Sequence, residues 1–251
     1  MCLKKLILIF LFLISYSFQY KEMLILKGHL CKISYSKTLL FNKNKNKKIL
    51  RFYDNYKFIN ESNFKSFFII YNNTNIDICF KGTTDINDVF INLNICPKSF
   101  INKNIKIHSG YLYKYLHLKP VLLENINNIC KDNNIKEITF NGHSSGGAIA
   151  NIAALDISFI YKNKNINCIT FGSPKIGNKY FVDQYNKNIR QSIRVVNNYD
   201  IIQYLPLFIY KHTHKPYLIK IKNNLNIINP YNFIKYTHLI STYIKKIINI
   251  Q

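Results

Sequence analysis

Arginine is nearly missing from this chain of 251 residues, standing only at Arg51, Arg190 and Arg194. Acidic residues are also scarce, 12 Asp and Glu against 35 Lys and Arg, which leaves a formal charge of +23. Such a charge is a common footprint of a nucleic-acid partner, yet no arginine-rich stripe and no recognition motif accompanies it. The lysines are scattered among Asn, Ile, Tyr and Phe along the whole length, the mixture that an AT-rich coding sequence yields. No nucleic-acid partner is therefore expected. Attraction to anionic surfaces, anionic lipid included, remains as a physical consequence of the charge.

The six cysteines include no CxxC pair, so a zinc site has no support in the spacing. The N-terminal apolar run, Leu6 to Ile14, has nine residues, well short of the about 20 that a membrane-spanning helix needs. Lys4 and Lys5 precede it, and Ser15 and Ser17 occupy the −3 and −1 positions of a cut after Ser17. Residues 1–17 thus read as a signal peptide and 18–251 as one domain, secreted; the alternative is an uncleaved membrane anchor. Export permits disulfides and glycans. Removing Cys2 leaves an odd set, Cys31, Cys79, Cys96, Cys130 and Cys168, with Cys79 in "IDICF" as the candidate buried thiol. Asn60 and Asn72 begin glycosylation sequons.

The remaining length, with 48% hydrophobic and 15% aromatic residues, is enough for a full core. "KEMLILKGHLCKISYSKTLL" reads as a helix and "FNKNKNKKILR" as an exposed loop. Phe67–Tyr71 and Ile76–Phe80 read as paired strands. Residues 111–129 suit a helix, with Leu112, Tyr115, Leu116, Leu122, Leu123, Ile126 and Ile129 on its apolar side and Pro120 as a possible bend. Beyond it strands alternate with helices: Ile138–Phe140 before a helix at 145–159, Ile166–Phe171 before one near 179–185, then Ser192–Val196, and a final amphipathic helix in "YTHLISTYIKKII". That alternation predicts an α/β fold with a mostly parallel sheet covered on both faces.

One stretch carries chemistry: "EITFNGHSSGGAIANIAALDI" places a serine where a strand becomes a helix. In an open parallel sheet the crevice outside the carboxyl ends of the strands is where ligands bind. A side chain at a tight turn there is driven into the crevice, and glycines two positions either side relieve the backbone crowding. Only Ser144, between Gly142 and Gly146, has that flanking, which makes it the nucleophile candidate. Ser145 offers a backbone N–H at a helix N-terminus, where such groups face an anion. A carboxylate on a later strand-end loop, Asp200 in "RVVNNYDIIQYLP", is suited to orienting a histidine. Asp156 and Asp183 fall within helical stretches and are expected at the surface.

The elbow resembles that of the class 3 (fungal-type) triacylglycerol lipases, usually written GHSLGGALA. The blocks "CFKGTTDINDVFINL", "KIHSGYLYKYL", "ITFGSPKIGNKYFVDQY", "RVVNNYDIIQYLP", "YKHTHKPYLI" and "YTHLISTY" follow the same family in the same order. The resemblance implies an α/β-hydrolase fold, a Ser144–Asp200–His238 triad with His212 in reserve as the base, and an oxyanion hole at Thr83 and Ser145. His108 and His143 match positions with packing and hydrogen-bonding roles. It implies no cofactor. The implied substrate is a lipid ester at a lipid–water interface, with phospholipase A1 activity or a catalytically silent lipid-binding relative as alternatives. A mobile lid is implied at "DINDVFINL", where Ile86, Val89, Phe90 and Leu93 share one side of a helix. The chain departs from the pattern at Lys81 for Arg, Ser145 for Leu, Gln203 for Pro and Thr237 for Asp.

Overall fold

A computed structural model describes residues 19–35, 52–60, 66–83, 95–206, 209–214, 216–219 and 237–249. The leader at 1–17, the loop at 41–51 and the lid segment with Ile86, Val89, Phe90 and Leu93 lie outside the described residues.

Nine strands are described: β1 (Asn55–Asn60), β2 (Ser66–Tyr71), β3 (Asn75–Phe80), β4 (Pro97–Phe100), β5 (Asn102–His108), β6 (Glu137–His143), β7 (Asn165–Phe171), β8 (Gln191–Asn197) and β9 (Pro216–Ile219). Helix α1 covers residues 19–33. It is followed by α2 (Ser109–Asp132), α3 (Ser145–Ile160), α4 (Lys179–Asn188) and α5 (Ile240–Ile248). The main sheet runs β1-β2-β3-β6-β7-β8-β9. Its first two pairings are antiparallel and the remaining four parallel. β4 and β5 form a separate antiparallel pair. The fold is that of an α/β-hydrolase, as expected; β1, β9 and the β4–β5 pair were not legible from apolar runs, because they are short or polar.

The strand period of two sorts side chains between the faces. Phe67 and Ile69 of β2 join Ile76, Ile78 and Phe80 of β3 and Ile138 and Phe140 of β6 in a core with α2 and α3. Phe68, Ile70 and Cys79 face the other way, against Leu30 and Ile33 of α1. Farther along, Ile169, Phe171, Ile193 and Val195 pack against Leu24 and Cys31 of α1 and Tyr243, Ile244 and Ile247 of α5. Each such apolar side chain contributes about 1.5–3 kcal/mol when fully buried. α3 is buried from Ser145 through Ser158 and reaches solvent only at its C-terminal end. Its alanines and glycines let it approach the sheet. Cys79 is buried and, like the other described cysteines, forms no disulfide.

Two expectations are corrected by this packing. Leu116 is exposed, at 47%, rather than on the buried side of α2. Pro120 continues that helix without ending it. The carbonyl that a proline at 120 leaves without its helical donor is that of Leu116, which faces solvent. Asp156 is buried, not at the surface: Lys119 sits 2.6 Å from its carboxylate and the Tyr115 hydroxyl donates to it at 2.5 Å. Those two partners offset the desolvation that otherwise keeps a carboxylate out of a core. Asp183 is exposed, in an ion pair with Lys179.

A buried ion pair also fixes α1 to the sheet. Lys27 Nζ donates to both oxygens of Asp77 at 2.6 and 2.7 Å, and Tyr53 and Asn141 donate to the same carboxylate.

Candidate active site

The sheet register brings the carboxyl ends of three parallel strands, β3, β6 and β7, nearly level. Phe80 of β3 pairs with Gly142 of β6, and His143 of β6 with Phe171 of β7. Ser144 follows β6 directly and carries φ 60 and ψ −132, a region that a side chain enters only under strain. The turn is held by bonds from Ser144 N–H to the Phe171 carbonyl at 3.0 Å and from Gly147 N–H to the Ser144 carbonyl at 2.9 Å. It also needs the flanking glycines. A Cβ on Gly142 would stand 2.2 Å from the Gly146 carbonyl oxygen, and one on Gly146 would stand 2.4 Å from that of Phe80.

Three side chains from three loops meet here. His238 Nε2 lies 2.7 Å from Ser144 Oγ, and His238 Nδ1 lies 2.7 Å from Asp200 Oδ2. Asp200 is fully buried, and His238 is 18% exposed toward the cavity. The loop after β8 turns back so that the Asp200 carboxylate accepts the Ile202 N–H at 3.0 Å through Oδ1. His212 does not reach Ser144. Its Nε2–H donates to the Gln203 carbonyl at 2.5 Å, and burial, with Arg194 nearby, pushes its pKa down to about 4.

Behind the acid stand two residues that the sequence reading did not single out. The Tyr243 hydroxyl donates to Asp200 Oδ2 at 2.6 Å, sharing that oxygen with His238. Burial, then the neighbouring carboxylate, raises the Tyr243 pKa far above its ordinary value and keeps it a donor. Gly172 adopts φ +56, and a Cβ there would come within 2.7 Å of Asp200 Oδ2. The signals available were the tyrosine five positions after His238 and the glycine closing β7.

The sequence profile described as Lipase (class 3) matches residues 78–210, over half of the chain and through the elbow and Asp200. The chain belongs to the class 3 lipase family. Lipase A of Sodiomyces alcalophilus is 26% identical over 130 residues, 44% of this chain and 31% of that protein. The lipase of Rhizomucor miehei is 28% identical over 150 residues, covering 57% and 41%. A chloroplastic phospholipase A(1) of Arabidopsis thaliana is 32% identical over 112 residues, covering 42% and 25%. The matched region therefore spans between a quarter and about two fifths of these relatives' own length. Among solved structures, the triacylglyceride lipase of Rhizomucor miehei superposes with a TM-score of 0.68 at 23% identity over 80% of both chains. A triacylglycerol lipase whose catalytic centre is described as a serine protease triad gives a TM-score of 0.72 at 21% identity, over 90% of this chain and 93% of that one.

In this member of the class 3 lipase family the triad-like cluster opens into a cavity of about 800 Å³. Ile95, Tyr111, Pro174, Ile202, Leu205 and Leu239 give it apolar walls. Thr83 and Ser145 lie beside Ser144 at its floor, their hydroxyls 2.9 Å apart. Lys32, from the last turn of α1, is the one Lys or Arg of the lining, and no Asp or Glu lines it among the described residues. His108 is buried and stacked on Tyr111 with ring centroids 4.1 Å apart. The described residues hold no cluster of His, Cys, Asp or Glu able to bind a metal ion, and no helix long and apolar enough to cross a membrane.

Proposed function

We propose that this chain is a secreted serine ester hydrolase acting on lipid esters, a triacylglycerol lipase by preference. The observation that carries the reading is the unbroken line Ser144 Oγ–His238 Nε2 and His238 Nδ1–Asp200 Oδ2, each link 2.7 Å, at the floor of a largely apolar cavity. Ser144 attacks the ester carbonyl while His238 takes its proton through Nε2. Asp200, buried and already bonded to Nδ1, stabilises the imidazolium that forms. Negative charge on the former carbonyl oxygen is met by the backbone N–H groups of Thr83 and Ser145. Return of the proton from His238 releases the alcohol and leaves an acyl group on Ser144. Water, activated by the same histidine, then hydrolyses it. A cavity of about 800 Å³ has room for an acyl chain.

A second reading, phospholipase A1, is favoured by Lys32. Among the described residues of the lining, a single cation with no carboxylate attracts an anionic headgroup and gives nothing to a neutral glyceride. Both readings place the substrate at a lipid surface. The deciding experiment gives the mature protein p-nitrophenyl esters, a triglyceride emulsion and phospholipid vesicles in parallel, beside Ser144→Ala. Hydrolysis that persists in Ser144→Ala sinks the mechanism, and the preferred substrate separates the two readings.

A further inference from the structure

The base, His238, stands on a segment that must be held against two fixed partners, Ser144 on β6 and Asp200 after β8. Both peptide carbonyls flanking its Cα are gripped by side chains from those same strand ends. His143, the last residue of β6, places Nε2 2.6 Å from the carbonyl oxygen of His238. Asn197, the last residue of β8, donates from Nδ2 to the carbonyl of Thr237 at 2.7 Å. We infer that His143 and Asn197 are positioning residues that clamp the segment carrying the base, fixing the His238 ring between the nucleophile and the acid. The inference rests on the hydrolase reading for its consequence in rate.

Each grip is itself determined by its surroundings. A carbonyl only accepts, so His143 must carry its proton on Nε2. Its Nδ1 then accepts from the Tyr35 hydroxyl at 2.8 Å, a bond from just past the end of α1 that completes the pairing of this tautomer. Burial, then the neighbouring His238, pushes the His143 pKa down to about 3, so the ring stays neutral over the working range. Asn197 is fully buried and uses every polar group it has. Lys246 donates to Oδ1 at 3.1 Å, which orients the amide with its N–H toward Thr237. The Asn197 N–H donates to Tyr243 Oη at 3.3 Å, and its carbonyl accepts from Gln203 Nε2 at 2.7 Å and from the Asp200 N–H at 2.9 Å. The residue that holds the base segment thereby also holds the loop of the acid and the tyrosine behind it. His143 Nε2 and Asn197 Nδ2 are each spent on a backbone carbonyl of the base segment, so both act through the residues they hold.

The test compares His143→Asn, His143→Gln and Asn197→Asp with the wild type. Glutamine reaches the place of Nε2 and can donate there; asparagine reaches only Nδ1. Aspartate keeps the shape of Asn197 and its bond from Lys246 but has no proton for Thr237. On a soluble p-nitrophenyl ester, kcat should fall about 10- to 100-fold in His143→Asn and Asn197→Asp, the scale expected of a small misplacement of a catalytic group, with KM unmoved. His143→Gln should recover most of the rate. The fraction of molecules labelled by a serine-directed phosphonate, after long exposure, should stay whole. The low-field proton resonance of the His238 Nδ1–H against Asp200 should weaken or vanish in the two impaired variants and persist in His143→Gln. That resonance needs no turnover, so it separates failure of the clamp from failure of the hydrolase reading. Unchanged kcat and an unchanged resonance in both impaired variants, with the fold intact by circular dichroism, overturn the inference. Where a rate loss is matched by lost labelling, which marks unfolding, Tyr35→Phe decides: a several-fold lower kcat with full labelling supports the inference, and an unchanged kcat overturns it.

Discussion

The Ser145 hydroxyl stands 2.9 Å from that of Thr83, so the helix entry after the elbow is tied by side chains to the loop after β3. The family pattern has leucine at 145, which cannot make this bond. The proposed oxyanion donors are the backbone N–H groups of these same two residues. The hydroxyl pair therefore holds one donor in register with the other before substrate arrives. Ser145→Ala keeps the N–H and loses the tie. We expect kcat on a soluble ester to drop about three- to tenfold, well below the roughly 100- to 1000-fold cost of losing an oxyanion donor outright, because the N–H is kept, whereas Ser144→Ala leaves no measurable turnover. Equal losses in the two variants, both folded, would reassign the nucleophile.

The anchoring of α1 predicts a stability effect with a consequence at the active site. Lys27→Met leaves the Asp77 carboxylate buried without its cation, a defect that costs about 3–5 kcal/mol. The double change Lys27→Met/Asp77→Asn removes the charge and keeps an acceptor for one of the two donors, Tyr53 on Oδ2 and Asn141 on Oδ1, so it should regain part of that loss. Urea unfolding measures both. A single variant as stable as the wild type would show that the pair does not hold the helix. Because α1 leads into Lys32 and Tyr35, the single variant should also lose activity before it unfolds globally.

Acid should weaken the fold through two neutral histidines. His143 and His212 have pKa values of about 3 and about 4 in the fold, against an ordinary 6.5. Below pH 6.5 the unfolded chain binds protons that the native state refuses, so stability is full above that pH and declines as pH falls toward the folded values. Between pH 6.5 and 5 each histidine contributes about 2 kcal/mol to the decline. Denaturant titrations at pH 7 and pH 5 should show the decline in the wild type and a shallower one in His143→Gln. Parallel slopes for the two proteins would remove His143 from the account.

Contact with lipid should depend on apolar residues left in water around the cavity mouth. Ile95 is 50%, Leu205 43% and Leu239 43% exposed in the lining, and Ile201, 41% exposed, adjoins the lining residue Ile202. Burial of such side chains in a lipid surface is favourable at about 25 cal/mol per Å². Ile95→Asp and Ile201→Asp should each cut hydrolysis of emulsions or vesicles several-fold while leaving a soluble ester nearly untouched. Raising salt should weaken binding to anionic vesicles more than to neutral ones, given the chain's positive charge. Equal losses on soluble and aggregated substrate would place these residues in substrate binding rather than surface binding.

The strand-to-helix alternation, the elbow and the order of the conserved-type blocks were all local properties of the chain. Periodicity places Phe67–Tyr71 and Ile76–Phe80 in strands because both faces of those strands are covered, which makes their apolar runs continuous. Ser144 was legible because the turn it occupies tolerates only glycine at Gly142 and Gly146, and that steric demand is written within five residues. By itself the sequence therefore determined the fold class, the elbow and the identity of the serine facing the crevice. Only the tertiary structure decided what surrounds them. Asp156 became a core residue because Lys119 and Tyr115, one to two turns of another helix, arrive at its carboxylate. His238, not His212, reaches Ser144, and Tyr243, Gly172, His143 and Asn197 converge on Asp200 and His238 from four separate segments. Contacts of that kind join residues up to 95 positions apart, as between His143 and His238. A local pattern carries no trace of them, because hydrogen bonding is decided by which side chains the packed sheet brings within about 3 Å, not by their spacing along the chain.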